Sequence, residues 1–246
     1  FEVDYLILES TYGNRLHQNN APIRDLAAVV NGSVRRGGVL VIPAFAVGRT
    51  QQLLYALREL EEDKEIPSLP VYVDSPMAID ATTVFEKRKE YYNLAAKVLE
   101  LSGTSILKPK KISFCQDRDQ SKALNKIDKG AIIISASGMV TGGRILHHLR
   151  HRLPRGQDTV LFIGYQAEGT RGRTILAGSP SVRIHGKDIP IKARVENISG
   201  FSAHADYNEI LAWLIGFNRA PKKTFIVHGE PTASASLAEK ISEILG

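Results

Sequence analysis

A chain of 246 residues, 43% hydrophobic and 24% charged, is long enough to bury a substantial core in one or two domains, and no run approaches the roughly 20 apolar residues that cross a bilayer, so no membrane contact is expected. Its single cysteine excludes an internal disulfide and a cysteine-built zinc site and fits a reducing cytoplasm; residues 1–20 lack the basic start and apolar centre of a secretory signal, and Phe1 is no initiator Met, so the numbering is expected to begin inside a longer protein or a processed or engineered chain. The net charge of +6 is unevenly spread: residues 140–194 carry ten Lys or Arg against three Asp or Glu and residues 104–130 seven against three, which leaves the remainder near −5 and suits a polyanionic partner.

In chain order, short runs rich in Val, Ile and Leu at 4–9, 39–45, 69–75, 111–116, 131–137 and 159–165 each lead into a turn and then a helical pattern. That is the rhythm of a parallel sheet covered on both faces by helices. Residues 49–62 place Leu53, Leu54, Leu57 and Leu60 at helical spacing, which predicts core. After about residue 180 the texture changes: Val-Arg-Ile, Ile-Pro-Ile and Ala-Arg-Val read as successive short strands around a Gly-Lys-Asp turn. A helix over 207–217, a strand over 224–227 and a helix over 233–245 follow. The expected fold class is α/β, with residues 13–190 forming one parallel-sheet domain and residues 1–12 and 191–246 contributing to a second sheet.

Three strand ends share a basic, glycine-containing turn. Ser137, Gly138, Thr141, Gly142, Gly143 and Arg144 follow the strand at 131–137 and open a helix, where free backbone N–H groups and the helix dipole predict a phosphate cradle. Arg49 follows Gly48 after the second strand, and Arg171 lies between Gly169 and Gly172 after the sixth. None is a Walker A loop or a full Gly-x-Gly-x-x-Gly, so nucleotide hydrolysis and NAD binding lose ground. Three such turns at the carboxyl edge of one sheet predict a track for a phosphate backbone. His147, His148 and His151 lie among Arg144, Arg150 and Arg152 with no acidic companion, so packing or a basic helix face is the better account of them than a metal. Cys115, in Lys-Ile-Ser-Phe-Cys, reads as a small buried hydrophobe. His204 and His228 each sit in a small-residue turn beside an acidic residue, Asp206 and Glu230, a setting in which an imidazole is oriented yet open.

Glu-Ser-Thr-Tyr-Gly at 9–13, Pro-Ala-Phe-Ala-Val-Gly-Arg-Thr-Gln at 43–51, Asp-Ser-Pro-Met-Ala at 74–78, Ser-Gly-Met-Val-Thr-Gly-Gly-Arg at 137–144, Gly-Tyr-Gln-Ala-Glu-Gly-Thr at 164–170, Phe-Ser-Ala-His-Ala-Asp at 201–206 and Val-His-Gly-Glu at 227–230 occur in a fixed order. As a set they resemble the β-CASP branch of metallo-β-lactamase-fold nucleases, which includes the pre-mRNA 3′-end processing endonuclease. The resemblance implies a β-CASP domain plus terminal segments of a metallo-β-lactamase αββα domain, with a two-zinc site between the two domains. It implies that Glu9 and His204 are catalytic, His204 protonating the departing oxygen, and that His228 is a zinc ligand. The family's His-x-His-x-Asp-His ligands are absent from this sequence, so the chain is expected to be an inactive portion of a zinc-dependent ribonuclease that does not retain zinc by itself. Single-stranded RNA is the expected partner and a homodimer is compatible with the sequence. The competing expectation is a non-catalytic β-CASP module that grips RNA or a partner without cutting.

Overall fold

The computed structural model describes residues 2–17, 21–101, 103 and 105–245. In chain order the elements are β1 (Tyr5–Glu9), α1 (Pro22–Arg35), β2 (Val39–Pro43), α2 (Arg49–Glu62), β3 (Val71–Val73), α3 (Pro76–Lys87), α4 (Leu94–Leu101), β4 (Ile112–Phe114), α5 (Arg118–Ala123), β5 (Ala131–Ser135), α6 (Ile145–Arg152), β6 (Thr159–Ile163), α7 (Arg171–Leu176), β7 (Ser181–Ile184), β8 (Lys187–Pro190), β9 (Arg194–Ile198), α8 (Tyr207–Ile215), β10 (Lys223–Val227) and α9 (Pro231–Leu245). They fall into two compact units, Ala21–Ile198 and Phe1–Asn20 with Ser199–Gly246.

The larger unit is built on a six-stranded parallel sheet in the order β4-β3-β5-β2-β6-β9. Three of its four interior strands are the most continuously apolar: every residue of β2, β5 and β6 is buried, which requires cover on both faces. The edge strands β4 and β9 carry mixed exposure along their length. The predicted leucines of α2, Leu53, Leu54, Leu57 and Leu60, are all buried, as is Cys115. Because β5, β2 and β6 are neighbours and parallel, the turns after them emerge side by side at one carboxyl edge. The tight turn of the β7–β8 hairpin falls at His185 and Gly186, both with positive φ, one residue earlier than the Gly-Lys-Asp expected, and Lys187 and Asp188 already belong to β8.

The smaller unit pairs β1 with β10 in parallel, Tyr5 opposite Lys223 and Glu9 opposite Val227. Leu8 packs with Ile210 and Leu214 of α8 and Leu237 of α9, while Tyr5, Ile7, Phe225 and Val227 on the strands are exposed. The two units divide at 198/199, where the sequence pattern placed a boundary at 190/191. The difference is β9, which pairs with β6 over Thr159–Arg194 to Ile163–Ile198 and so joins the larger sheet.

Candidate active site

The parallel register of β1 and β10 explains why two segments more than two hundred positions apart meet: Glu9 and Val227 are the last paired residues, so Ser10-Thr11 and His228-Gly229 leave the pair together. Ser10 Oγ donates to Val227 O at 2.9 Å and lies 2.8 Å from Ser234 Oγ, fastening the turn to β10 and α9. Gly229 is needed because a Cβ there would sit 2.2 Å from Ser10 Oγ, and Gly13 because a Cβ would meet Ala233 O at 2.4 Å. His228 itself adopts φ 55, a left-handed conformation uncommon outside glycine. A bridge between Tyr12 and Asp206 then brings in the loop carrying His204.

The result is a compact polar cluster. His204 Nδ1 lies 2.8 Å from Glu9 Oε2, and Ala205 N donates to Glu9 Oε1 at 3.3 Å. Thr11 Oγ1 sits 2.7 Å from Glu9 Oε2, 3.1 Å from His228 Nδ1 and 3.4 Å from His204 Nδ1, and also lies 3.0 Å from His228 O. The two imidazoles are tilted toward one another with centroids 5.3 Å apart. Thr11 is 3% exposed, whereas the Glu9 and His204 side chains keep 31% and 39%, so the pair is anchored from beneath and open above. Burial pushes the Glu9 carboxyl up, but the Thr11 hydrogen bond, the His204 charge and hydrogen bond and the Ala205 amide outweigh it and hold it below the ordinary carboxylate range. A carboxylate kept ionised at this distance holds the imidazole in one orientation with its other nitrogen facing outward.

His17 also belongs to this cluster and carries no signal in the sequence pattern, because it works through backbone atoms and partners far along the chain. The Nε2 atom of His17 lies 2.7 Å from His204 O, its backbone N donates to Asp206 Oδ2 at 2.8 Å, and its ring packs edge-on against Tyr12. Asp206, expected to orient His204 as its neighbour in sequence, instead caps α8 in a capping box with Glu209. Glu9, which the motif resemblance implies holds His204, is the carboxylate that lies against its ring.

At the carboxyl edge of the larger sheet the three glycine turns are neighbours, but they bind one another. The Thr141 and Gly142 amides donate to Ser137 Oγ at 3.0 and 3.2 Å, and Ser137 N donates to Gly142 O. A Cβ at Gly138 would meet the Phe45 ring at 3.0 Å, and one at Gly143 would meet Ala136 O at 2.4 Å, so these glycines serve close approach. Arg144 donates to Asp74 Oδ1, Cys115 O and Gln116 O, each at 2.8 Å. Arg171 Nε donates to Arg183 O at 2.7 Å and its Nη1 to Val140 O and Thr141 O at 3.4 Å. Arg49 reaches back to Gln52 Oε1 on its own helix. The expectation of an open phosphate cradle is therefore narrowed at Thr141, Gly142, Arg144 and Arg171: the donors named above are spent within the protein and hold the loops in place. His148 likewise is buried against Asp74 Oδ2, and His147 stacks on His185 with centroids 4.6 Å apart.

Residues 50–175 match the model of the Beta-Casp domain, and residues 188–246 that of the Zn-dependent metallo-hydrolase RNA specificity domain. The chain belongs to the β-CASP family of metallo-β-lactamase-fold nucleases. Among β-CASP relatives it is similar to ribonuclease TTHA0252 of Thermus thermophilus, 34% identical over 97% of this chain and 54% of that protein. It is 33% identical to an RNase J-like protein of Methanocaldococcus jannaschii over 99% of this chain and 56% of that protein. To the transcription termination factor FttA of the same organism it is 32% identical, over 98% of this chain and 39% of that protein. The chain thus spans about half, or less, of the length of the curated relatives it matches.

In this β-CASP chain Glu9, His204 and His228 present ligand-type atoms all within 4.8 Å of one another, the one such group among the described residues. Two imidazoles and a carboxylate are donors that zinc accepts. Glu9 and His204 are already bonded to each other, which leaves His228 as the ring with no carboxylate partner at either nitrogen in this cluster and the fitting ligand.

Proposed function

We propose that this chain is the β-CASP domain and closing segments of a zinc-dependent ribonuclease that hydrolyses RNA phosphodiester bonds, and that the chain by itself is inactive. The observation that carries the reading is the Glu9 Oε2 to His204 Nδ1 contact of 2.8 Å with His228 beside it, the three residues to which the motif resemblance assigns catalytic and metal-binding roles. The bare apolar face of the two-stranded β1–β10 sheet supports it, because two strands alone make a marginal sheet and Tyr5, at 68% exposure, and Ile7, at 72%, suit cover by further chain. The relatives' greater length supports it too.

In this reading His228 holds one edge of a metal site completed by ligands outside this chain. Zinc bound there would lower the pKa of the attacking water and offset charge on the phosphoryl oxygens. Water's oxygen forms the new bond to phosphorus as the bond to the departing oxygen breaks. His204, as imidazolium, gives its outward proton to that oxygen, and Glu9 holds the ring in place and stabilises its charge. His17 and the Thr11 hydroxyl fix the loop and the side chains around it.

The test uses the longer protein with a labelled single-stranded RNA. Zinc-dependent cleavage is expected. His204→Ala should lower the rate by about 10²- to 10⁴-fold with zinc content near wild type, whereas His228→Ala should lower zinc content as well. Binding without cleavage by a zinc-loaded protein, or equal zinc loss in both variants, overturns the assignment.

A further inference from the structure

Thr11 makes four polar contacts in the cluster, yet a hydroxyl has one proton to donate and two lone pairs to accept with. Its shortest contact, 2.7 Å, is to Glu9 Oε2, an oxygen of a carboxylate that is already accepting from Ala205 N and facing His204 Nδ1. A hydrogen bond to a carboxylate is roughly twice as strong as one to a neutral carbonyl, so the proton goes to Glu9 in preference to His228 O at 3.0 Å. With that proton spent, Oγ1 can meet the His228 Nδ1 atom at 3.1 Å only as an acceptor. His228 must then carry its proton on Nδ1, and its Nε2 is left as a bare lone pair. The same logic applies to His204, whose Nδ1 faces a carboxylate at 2.8 Å and must donate.

From this we infer that Thr11 is a positioning residue: its single hydroxyl, donating to Glu9 and accepting from His228, locks His228 in the tautomer whose Nε2 is free to bind a metal. The inference rests on the reading of His228 as a metal ligand but concerns a property of the metal-free chain. It also explains why position 11, just before the buried Tyr12, should bear a short hydroxyl and be 3% exposed, since water reaching Oγ1 would supply competing donors and acceptors.

Nitrogen-15 correlation spectra of the histidine rings in the metal-free, 246-residue chain at about pH 8, above the usual imidazole range, read the tautomer directly. In the wild type the His228 proton is expected on Nδ1. Thr11→Val keeps the β-branched shape and removes the acceptor, and the Nδ1–H to Nε2–H ratio of His228 should fall by roughly two- to tenfold, the shift one ordinary hydrogen bond supports. Thr11→Ser should retain the wild-type ratio. A wild-type proton on Nε2 overturns the inference without any variant, as does an unchanged ratio in Thr11→Val; loss of the tautomer in Thr11→Ser would do so too, by assigning the effect to the methyl group. No metal or RNA enters this experiment, so its failure leaves the nuclease reading standing, and that reading fails instead on cleavage by the longer protein.

Discussion

Arg144→Ala separates two accounts of the Ser137–Arg144 turn, one in which Arg144 grips a phosphate and one in which it clamps the fold. Its guanidinium donates to Asp74 Oδ1 and to the carbonyls of Cys115 and Gln116, each at 2.8 Å, and the Asp74 side chain is fully buried. Hydrogen bonds to charged groups contribute about 1.5–3 kcal/mol, and removing one partner of a buried ion pair costs roughly 3–5 kcal/mol. Here the Arg144 side chain keeps 21% exposure, and His148 and Ser121 still face Asp74 after truncation, so a loss of about 2–4 kcal/mol is expected. For a chain of this size that lowers the melting temperature by roughly 4–16 °C. Urea unfolding followed by far-ultraviolet circular dichroism should show a lower midpoint with an unchanged m-value. If the proposed ribonuclease is assayed, its slope of log affinity for RNA against log salt should stay the same in the variant, because on the clamp account no phosphate contact is lost. Stability within about 0.5 kcal/mol of wild type, together with a slope shallower by about one, would refute the clamp and restore the cradle.

Other outcomes follow from the same geometry. Burial raises the Asp74 pKa, but hydrogen bonds from His148, Ser121 and Arg144 and the His148 charge hold it below the ordinary aspartate range. Its stabilising contribution is therefore complete above the unfolded value of about 4 and is lost as pH falls through the lower folded value; Asp74→Asn should flatten the acid limb of a plot of urea midpoint against pH, and an unaltered limb contradicts this. Cys115 is 4% exposed, and burial, reinforced by the Asp74 charge, pushes its thiol up to about 11, so a disulfide reagent at neutral pH should label it only after unfolding. Prompt labelling of the folded chain would contradict that. Gly143 and Gly48 have φ of 82 and 80, but only at Gly143 would a Cβ strike a neighbour, Ala136 O at 2.4 Å. Gly143→Ala should be more destabilising than Gly48→Ala by at least about 1 kcal/mol in the same urea assay, and the reverse order is excluded by this structure.

Much of the fold was legible because burial leaves a direct mark on composition. The runs that became β2, β5 and β6 are apolar at nearly every position, as the centre of a sheet covered on both faces demands. β9 was harder to place: Arg194, Glu196 and Asn197 give it the look of a strand outside the main sheet, and only its pairing with β6 assigns it there. The Glu9, His204 and His228 cluster was visible through motifs taken together. Thr11 and His17 were not, because their roles depend on a parallel register between strands at 5–9 and 223–227 and on a backbone carbonyl, neither of which leaves a periodic trace. The inward turn of Arg144 was hidden for a related reason. A basic residue beside glycines has the same letters whether its guanidinium faces solvent or a buried Asp74, and the buried acid lies 70 positions away.

The pairing of the earliest strand with the latest has a consequence for how the cluster comes into being. Glu9 waits 195 positions for His204, and Thr11 waits 217 for His228, while the six parallel strands of the larger unit are all complete by Ile198. During synthesis, which proceeds from the amino end, the bulky part can fold first and the chemistry arrives last. A polypeptide still leaving the ribosome therefore holds the acid without its imidazoles, and the order of translation itself acts as a safety catch on the finished cluster.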